Sequence, residues 1–172
     1  MTATDIERSL VQTRFDFRRW LVVPNVAWGF HIHECDLLAI SGSGYIHEIE
    51  IKVSAADLKR DGKKYHGHRD HRVACLWFAV PAELGALTLE LAPARAGVLC
   101  IRDTEYGHRV IDETRKAQRN RIAKPMTVEQ RLAVARLGTM RYWSYDAALK
   151  AAREWPEPPA ARAGEKQEVK DA

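Results

Sequence analysis

The sequence predicts a single α/β domain in which a helix, three strands, a second helix and a further strand follow one another. Three observations carry this. Runs rich in aliphatic and β-branched residues, DLLAI, YIHEIEIKV, VACLWFAVP and GVLCI, are each of strand length. Stretches with helical spacing and capping residues stand before, between and after them. The chain of 172 residues, 46% hydrophobic and 29% charged, is large enough to bury a real core and of the usual size for one domain.

Taken in order, Thr4 and Asp5 are candidate N-caps for an opening helix in which Ile6, Leu10 and Thr13 or Arg14 share a face. Glu7 lies near the positive end of that helix, which should end near Phe17. RWLVVPNVAWGFHI then reads as a strand, but Pro24 removes a ladder donor, so an edge or bent strand is expected, with Trp20 and Trp28 as packing residues. Residues 34–40 and 45–53 form a hairpin around Ser41-Gly42-Ser43-Gly44, whose glycines supply the positive φ a tight connection needs. Ser54 caps a helix over about 55–65.

HGHRDHR leads into VACLWFAVP, whose unbroken apolar character predicts a strand buried on both faces, with Trp77 in the core. A loop over 81–95 precedes the core strand AGVLCIRD, and Glu105-Tyr106-Gly107 turns the chain towards Val110-Ile111. From Thr127 the composition is helical. Thr127 and Gln130 form a candidate capping box and Gly138 a candidate break, so two helices are expected. Residues 155–172, PEPPAARAGEKQEVKDA after Trp155, hold too few large apolar groups to offset chain entropy. They read as a disordered tail to a domain over 1–154.

Charge and cysteines narrow the function. There are 27 Lys and Arg against 23 Asp and Glu, a formal charge of +4, which tilts towards phosphate-bearing partners. Cys35, Cys75 and Cys100 are odd in number and lack CxxC spacing, which argues against a disulfide framework and for a reducing, cytoplasmic setting. The charged N-terminus does not resemble a signal peptide, and no apolar run approaches bilayer-spanning length. No membrane partner is expected.

The hairpin HECDLLAISGSGYIHEIEIK carries Glu34, Asp36, Glu48, Glu50 and Lys52 among aliphatic residues. Strand alternation puts Glu48, Glu50 and Lys52 on one face, and Glu34 and Asp36 on one face of the preceding strand. Where these faces coincide the acids cluster, and two carboxylates about 5 Å apart repel by about 3 kcal/mol at an effective dielectric of about 20. Lys52 offsets part of that; a divalent ion would offset more, and oxygen ligands favour magnesium or manganese. The simpler reading is a half-solvated strand held by cross-strand ion pairs.

Asp36, followed after the glycine turn by Glu50-Ile51-Lys52, resembles the PD-(D/E)XK nuclease superfamily. EIKVSAADLKRDGKKYHGHRDHRVACLWFAVP and the later AGVLCIRD are similar to the MmcB-like DNA-repair nucleases and phage-encoded relatives, in which a Ser and two Asp follow the catalytic lysine. The resemblance implies a restriction-endonuclease-like αβββαβ core with a mixed sheet and C-terminal helices, cutting DNA in repair, recombination or phage DNA processing. It implies Asp36 and Glu50 as ligands of Mg²⁺, or Mn²⁺ in its place, the Ile51 carbonyl completing the site, and Lys52 as the catalytic lysine. Glu7 matches, loosely, a helix-borne acid that some relatives use. Cys35 stands where many members have proline. Glu34 and Glu48 are extra acids with three readings open, binding a second metal, tuning the first or facing solvent, of which the last is favoured. Many relatives act as dimers, so a homodimer belongs to the same expectation.

Lys59, Arg60, Lys63, Lys64, Arg69 and Arg72 follow the acidic strand and suit a surface gripping phosphates, with a solvated helix and loop as the plainer alternative. His31 with His33, and the group His66, His68 and His71, raise zinc, although no cysteine has matching spacing. Two rivals to a nuclease stay open: a DNA-binding module of the same fold without catalysis, and an interaction protein whose acidic hairpin docks a basic partner.

Overall fold

The structure is a computed structural model that describes residues 1–26, 34–61 and 70–154, with Glu154 described by its backbone only. The expectations for Trp28, His31 and His33, for Lys63, Lys64, His66, His68 and Arg69, and for the tail over 155–172 lie outside the described residues. In chain order the elements are α1 (Ala3–Gln12), β1 (Leu21–Val26), β2 (Cys35–Ile40), β3 (Ile46–Ile51), α2 (Ala55–Asp61) and β4 (Val73–Pro81). A 3₁₀ turn (Ala82–Leu84), α3 (Gly85–Leu91), β5 (Gly97–Asp103), β6 (Arg109–Arg115) and α4 (Val128–Glu154) follow.

All six strands form one sheet in chain order. The hairpin partners β1/β2, β2/β3 and β5/β6 are antiparallel, whereas β3/β4 and β4/β5 are parallel. Parallel neighbours need a crossover; α2 lies between the strands of the first pair and α3 between those of the second. The predicted helix, three strands, helix, strand order therefore stands, in a mixed sheet. Pro24 lies in β1, at the edge of the sheet, where a missing amide donor costs least.

Three boundaries differ from expectation. Thr2 caps α1, in place of Thr4 or Asp5: the Asp5 amide donates to Thr2 Oγ1 at 3.2 Å and the Thr2 amide donates to the Asp5 carboxylate at 2.9 Å. This reciprocal pair starts the helix two residues early, and α1 ends at Gln12. The stretch over 81–95 holds a 3₁₀ turn and α3 instead of a plain loop. Gly85, a helix breaker in isolation, is needed there because a Cβ would stand 2.7 Å from Cys100 Sγ. The two expected C-terminal helices are one, α4. Gly138 lies inside it because that turn passes close to β1, where a Cβ would meet Val23 Cγ2 at 3.2 Å. The capping box is present, with the Thr127 amide donating to Gln130 Oε1 at 2.9 Å.

Alternate residues of the strands feed opposite faces of the sheet. Ile6, Leu10 and Phe15 pack with Leu37, Ile49, Trp77 and Leu99 on one face. On the other, Leu58 of α2 packs with Leu76, Phe78 and Val98, and Val134 of α4 packs with Val23, Leu38 and Ile46. These contacts lie within a compact unit over Met1–Gly138; Thr139–Ala172 forms a second. In the second unit the rings of Tyr142 and Trp143 meet edge-on at 5.4 Å, and Lys150 pairs with Asp146 at 2.7 Å. Among the described residues no helix is long and apolar enough to cross a membrane.

Candidate active site

The site forms where β2 and β3 part. Their ladder pairs Ile40 with Ile46, Leu38 with Glu48 and Leu37 with Ile49. Beyond that point a side chain replaces the backbone acceptor, for the Ile51 amide donates to Asp36 Oδ2 at 2.7 Å. The same oxygen accepts from Lys52 Nζ at 3.3 Å. On β3 the sequence alternates, so Glu50 and Lys52 share a face, and Lys52 Nζ donates to Glu50 Oε2 at 2.5 Å. Lys52 thus draws together the two carboxylates that the sequence singled out.

A third carboxylate joins them. Asp61 Oδ1 stands 3.4 Å from Lys52 Nζ. Ser54 caps α2, accepting from the Asp57 amide at 3.2 Å, and the inward face of the helix carries Leu58 and Asp61. Asp61 is the second of the two Asp that follow Lys52 after Ser54, and the sequence reading assigns it no role. Its signal was helical spacing: three residues beyond Leu58, it falls on the buried face.

Burial divides the cluster. The side chains of Glu50, Asp61 and Lys52 are 1%, 4% and 6% exposed, while that of Asp36 is 41% exposed. Glu48 is fully buried, in register with Leu38 and Leu76. Its expected solvent-facing role is therefore wrong: β3 lies inside the sheet, and α2 helps to cover the face it shares with Glu50. Glu34 is exposed. Burial alone would push the Lys52 ammonium down, but the carboxylates of Glu50, Asp36 and Asp61 outweigh it and hold the group above its ordinary value. Lys52 is a fixed positive charge rather than a proton acceptor.

Glu7 approaches from α1. Half-buried, its carboxyl is raised by burial and then by the neighbouring charge of Asp36. The Cys35 thiol is raised by burial and by Glu48, Glu50 and Asp36, which leaves it a poor nucleophile. Ile51 contributes its amide to Asp36, as above. Of the basic set, Lys59 and Arg60 are exposed on α2, with Arg60 3.4 Å from Asp57. Arg72 is engaged by Asp70 through two nitrogens, at 2.9 and 2.6 Å. His71 is a surface residue 3.9 Å from the same carboxylate.

The fit of a metal can be judged from these groups. Among the described residues no three His, Cys, Asp or Glu side chains form a cage for an ion. Magnesium is commonly held by one or two carboxylates and keeps several waters for the substrate to replace. Asp36 and Glu50 already converge on one cationic group, and three carboxylates around a single ammonium leave two formal negative charges in excess. The donor set therefore suits a hard divalent ion held by Asp36 and Glu50.

Fold and cluster together define a class: an α/β protein whose mixed sheet carries a buried ion cluster at the carboxyl end of a central strand. Over residues 2–148 the chain matches the family of the DNA repair protein MmcB-like, and it belongs to that family. DNA repair is thus its functional setting. No curated protein matches it. Among solved structures it is similar to a protein of unknown function from Silicibacter pomeroyi, with a TM-score of 0.58 and 19% identity over 91% of this chain and 97% of that one. That likeness speaks for the fold.

Proposed function

We propose that the protein is a Mg²⁺-dependent deoxyribonuclease of the PD-(D/E)XK type, with Mn²⁺ able to substitute, that hydrolyses phosphodiester bonds during DNA repair, recombination or phage DNA processing. The convergence of Asp36 and Glu50 on Lys52, at 3.3 and 2.5 Å, carries this reading. Asp36, the exposed member, is where a phosphate arriving from solvent would first meet the site. Glu50, buried against the sheet, holds its position through Lys52. Lys52 keeps its proton, so its part is to stabilise the charge that builds on the phosphoryl oxygens and to orient water by donating to it. Asp61 is a positioning residue, acting on the reaction through Lys52. The ion would supply charge opposite the phosphoryl group and make water more acidic.

The competing reading is a DNA-binding module in which the cluster is only a structural ion network. It is favoured by the way Lys52 is already satisfied by three carboxylates. Cleavage assays separate the two, using labelled single-stranded, duplex and branched DNA with Mg²⁺, Mn²⁺ or EDTA. Asp36→Asn and Glu50→Gln keep shape and are expected to lower cleavage by at least about a hundredfold while leaving DNA affinity near wild type. Cleavage that survives either substitution or EDTA would exclude this site. Lys52→Ala is the poorer probe, because it strands buried carboxylates at a cost of about 3–5 kcal/mol and threatens the fold itself.

A further inference from the structure

A second charged feature lies at the other end of the sheet. Between Thr114 and Val128 the sequence RKAQRNRIAKPMT holds Arg115, Lys116, Arg119, Arg121 and Lys124 and no acid. Its formal charge of +5 exceeds the +4 of the whole chain. Arg115 is spent on structure: its guanidinium donates to the carbonyls of Ala96 at 2.7 Å and Pro93 at 3.0 Å. The other four pair with no carboxylate among the described residues, and Lys116, Arg121 and Lys124 are exposed.

The backbone beneath these charges is pinned. The Gln118 amide donates to Arg95 O at 2.9 Å and the Asn120 amide to Ala74 O at 2.8 Å. Asn120 Nδ2 donates to the carbonyls of His71 and Val73, at 3.1 and 3.2 Å. The Met126 amide donates to Gly44 O at 2.9 Å, and the Arg119 guanidinium lies 4.2 Å from the centre of the Tyr45 ring. A cleft of about 510 Å³ opens beside the loop, lined in part by His71, Gln118, Arg119 and Arg121. Exposed cations on a backbone that needs no ordering are what a repeating phosphate array binds with least entropic cost.

We infer that this loop is a second DNA-contacting surface, gripping the phosphate backbone without reading sequence. Asn120 is bound at Val73 and Ala74, whereas Glu50 and Ile51 pair with Phe78 and Ala79. Five residues of strand separate the two places, roughly 16 Å at about 3.3 Å per residue. The loop therefore holds DNA apart from the ion cluster. The inference rests on DNA as the partner, though not on cleavage.

The test measures affinity for labelled duplex and single-stranded DNA by fluorescence anisotropy, in EDTA, from 50 to 200 mM salt. Arg121→Glu/Lys124→Glu is expected to weaken binding about tenfold or more and to lower the slope of log affinity against log salt by about 2. Arg8→Glu/Arg102→Glu, exposed residues of the same compact unit away from the loop, change net charge equally and should stay within about twofold of wild type, since their charges are screened from DNA held at the loop. Asn120→Ala, which keeps every charge but unpins the loop, should weaken binding while far-ultraviolet circular dichroism stays unchanged. Equal losses in the two charge-reversed proteins, wild-type affinity in the loop variant, or no binding by the wild type would each overturn the inference. Cleavage with Mg²⁺ is scored separately: loop-dependent binding without cleavage removes the nuclease reading alone, and cleavage with loop-independent binding removes the loop alone.

Discussion

At the scale of single residues, the chain uses buried polar groups in two ways. Lys52 is held charged by carboxylates, whereas His47 is held neutral. Burial, then the charges of Arg14 and Arg119, push the imidazole down to about 4, and Trp77 Nε1 donates to His47 Nδ1 at 3.1 Å, a bond that needs an unprotonated nitrogen. An unfolded histidine titrates near 6.5, so between about 6.5 and 4 the unfolded chain binds the extra proton and the folded one does not. Stability is therefore lost as pH falls through that window, by on the order of 3 kcal/mol at most. Urea denaturation of wild type and His47→Gln at pH 7 and pH 4.5 measures it, and the variant should lose distinctly less. Equal losses would show that His47 is not the group responsible. That Asp36, Glu50 and Lys52 come together was legible in the sequence from strand alternation, whereas any role for them rests on the family resemblance. The burial of Glu48 was not legible, because Glu-x-Glu-x-Lys looks the same whether one face of a strand meets water or another layer of the protein.

At the scale of elements, legibility followed how local the determinant is. The hairpin and the caps by Ser54 and Thr127 were readable because their hydrogen bonds reach three or four residues along the chain. The helix α3 was hidden because Gly85 answers to Cys100, a partner on another strand, and the continuity of α4 was hidden because Gly138 answers to Val23. Gly97 is a further case. A Cβ there would stand 2.3 and 2.4 Å from two Trp77 ring carbons and 2.8 Å from the Ala117 amide nitrogen. Trp77 has little room to retreat, since Phe15 lies against it at 6.3 Å between ring centres and His47 accepts its indole proton. Gly97→Ala is accordingly expected to destabilise by about 1–3 kcal/mol or more through overpacking, read from the urea midpoint. A midpoint within error of wild type would mean that β4 and β5 slide apart more easily than a packed sheet allows.

At the scale of the whole sheet, the two charged features occupy opposite ends of one parallel pair of strands. The acidic cluster lies at the carboxyl end of β3, the end at which open α/β sheets usually place their ligands. The basic loop lies at the amino end of β4, tied there by Asn120. The strand order within Met1–Gly138 makes this separation unavoidable, because β3 and β4 run in the same direction and cannot bring opposite ends together. The sequence offered the acids and bases as neighbours in a list of motifs, whereas the spacing between them is a property of the register.

The substitution of a side chain for a rung of the β2/β3 ladder makes the peptide group of Ile51 a natural sensor. Its proton points at Asp36 Oδ2, so its nuclear magnetic resonance frequency depends on the electron density of that oxygen. Titration with Mg²⁺ should move the Ile51 resonance early and by more than those of Leu37 or Ile49, whose rungs are intact, and Asp36→Asn should abolish the response. A resonance that stays still while the ion binds would place the ion somewhere other than Asp36, without any catalytic assay being needed.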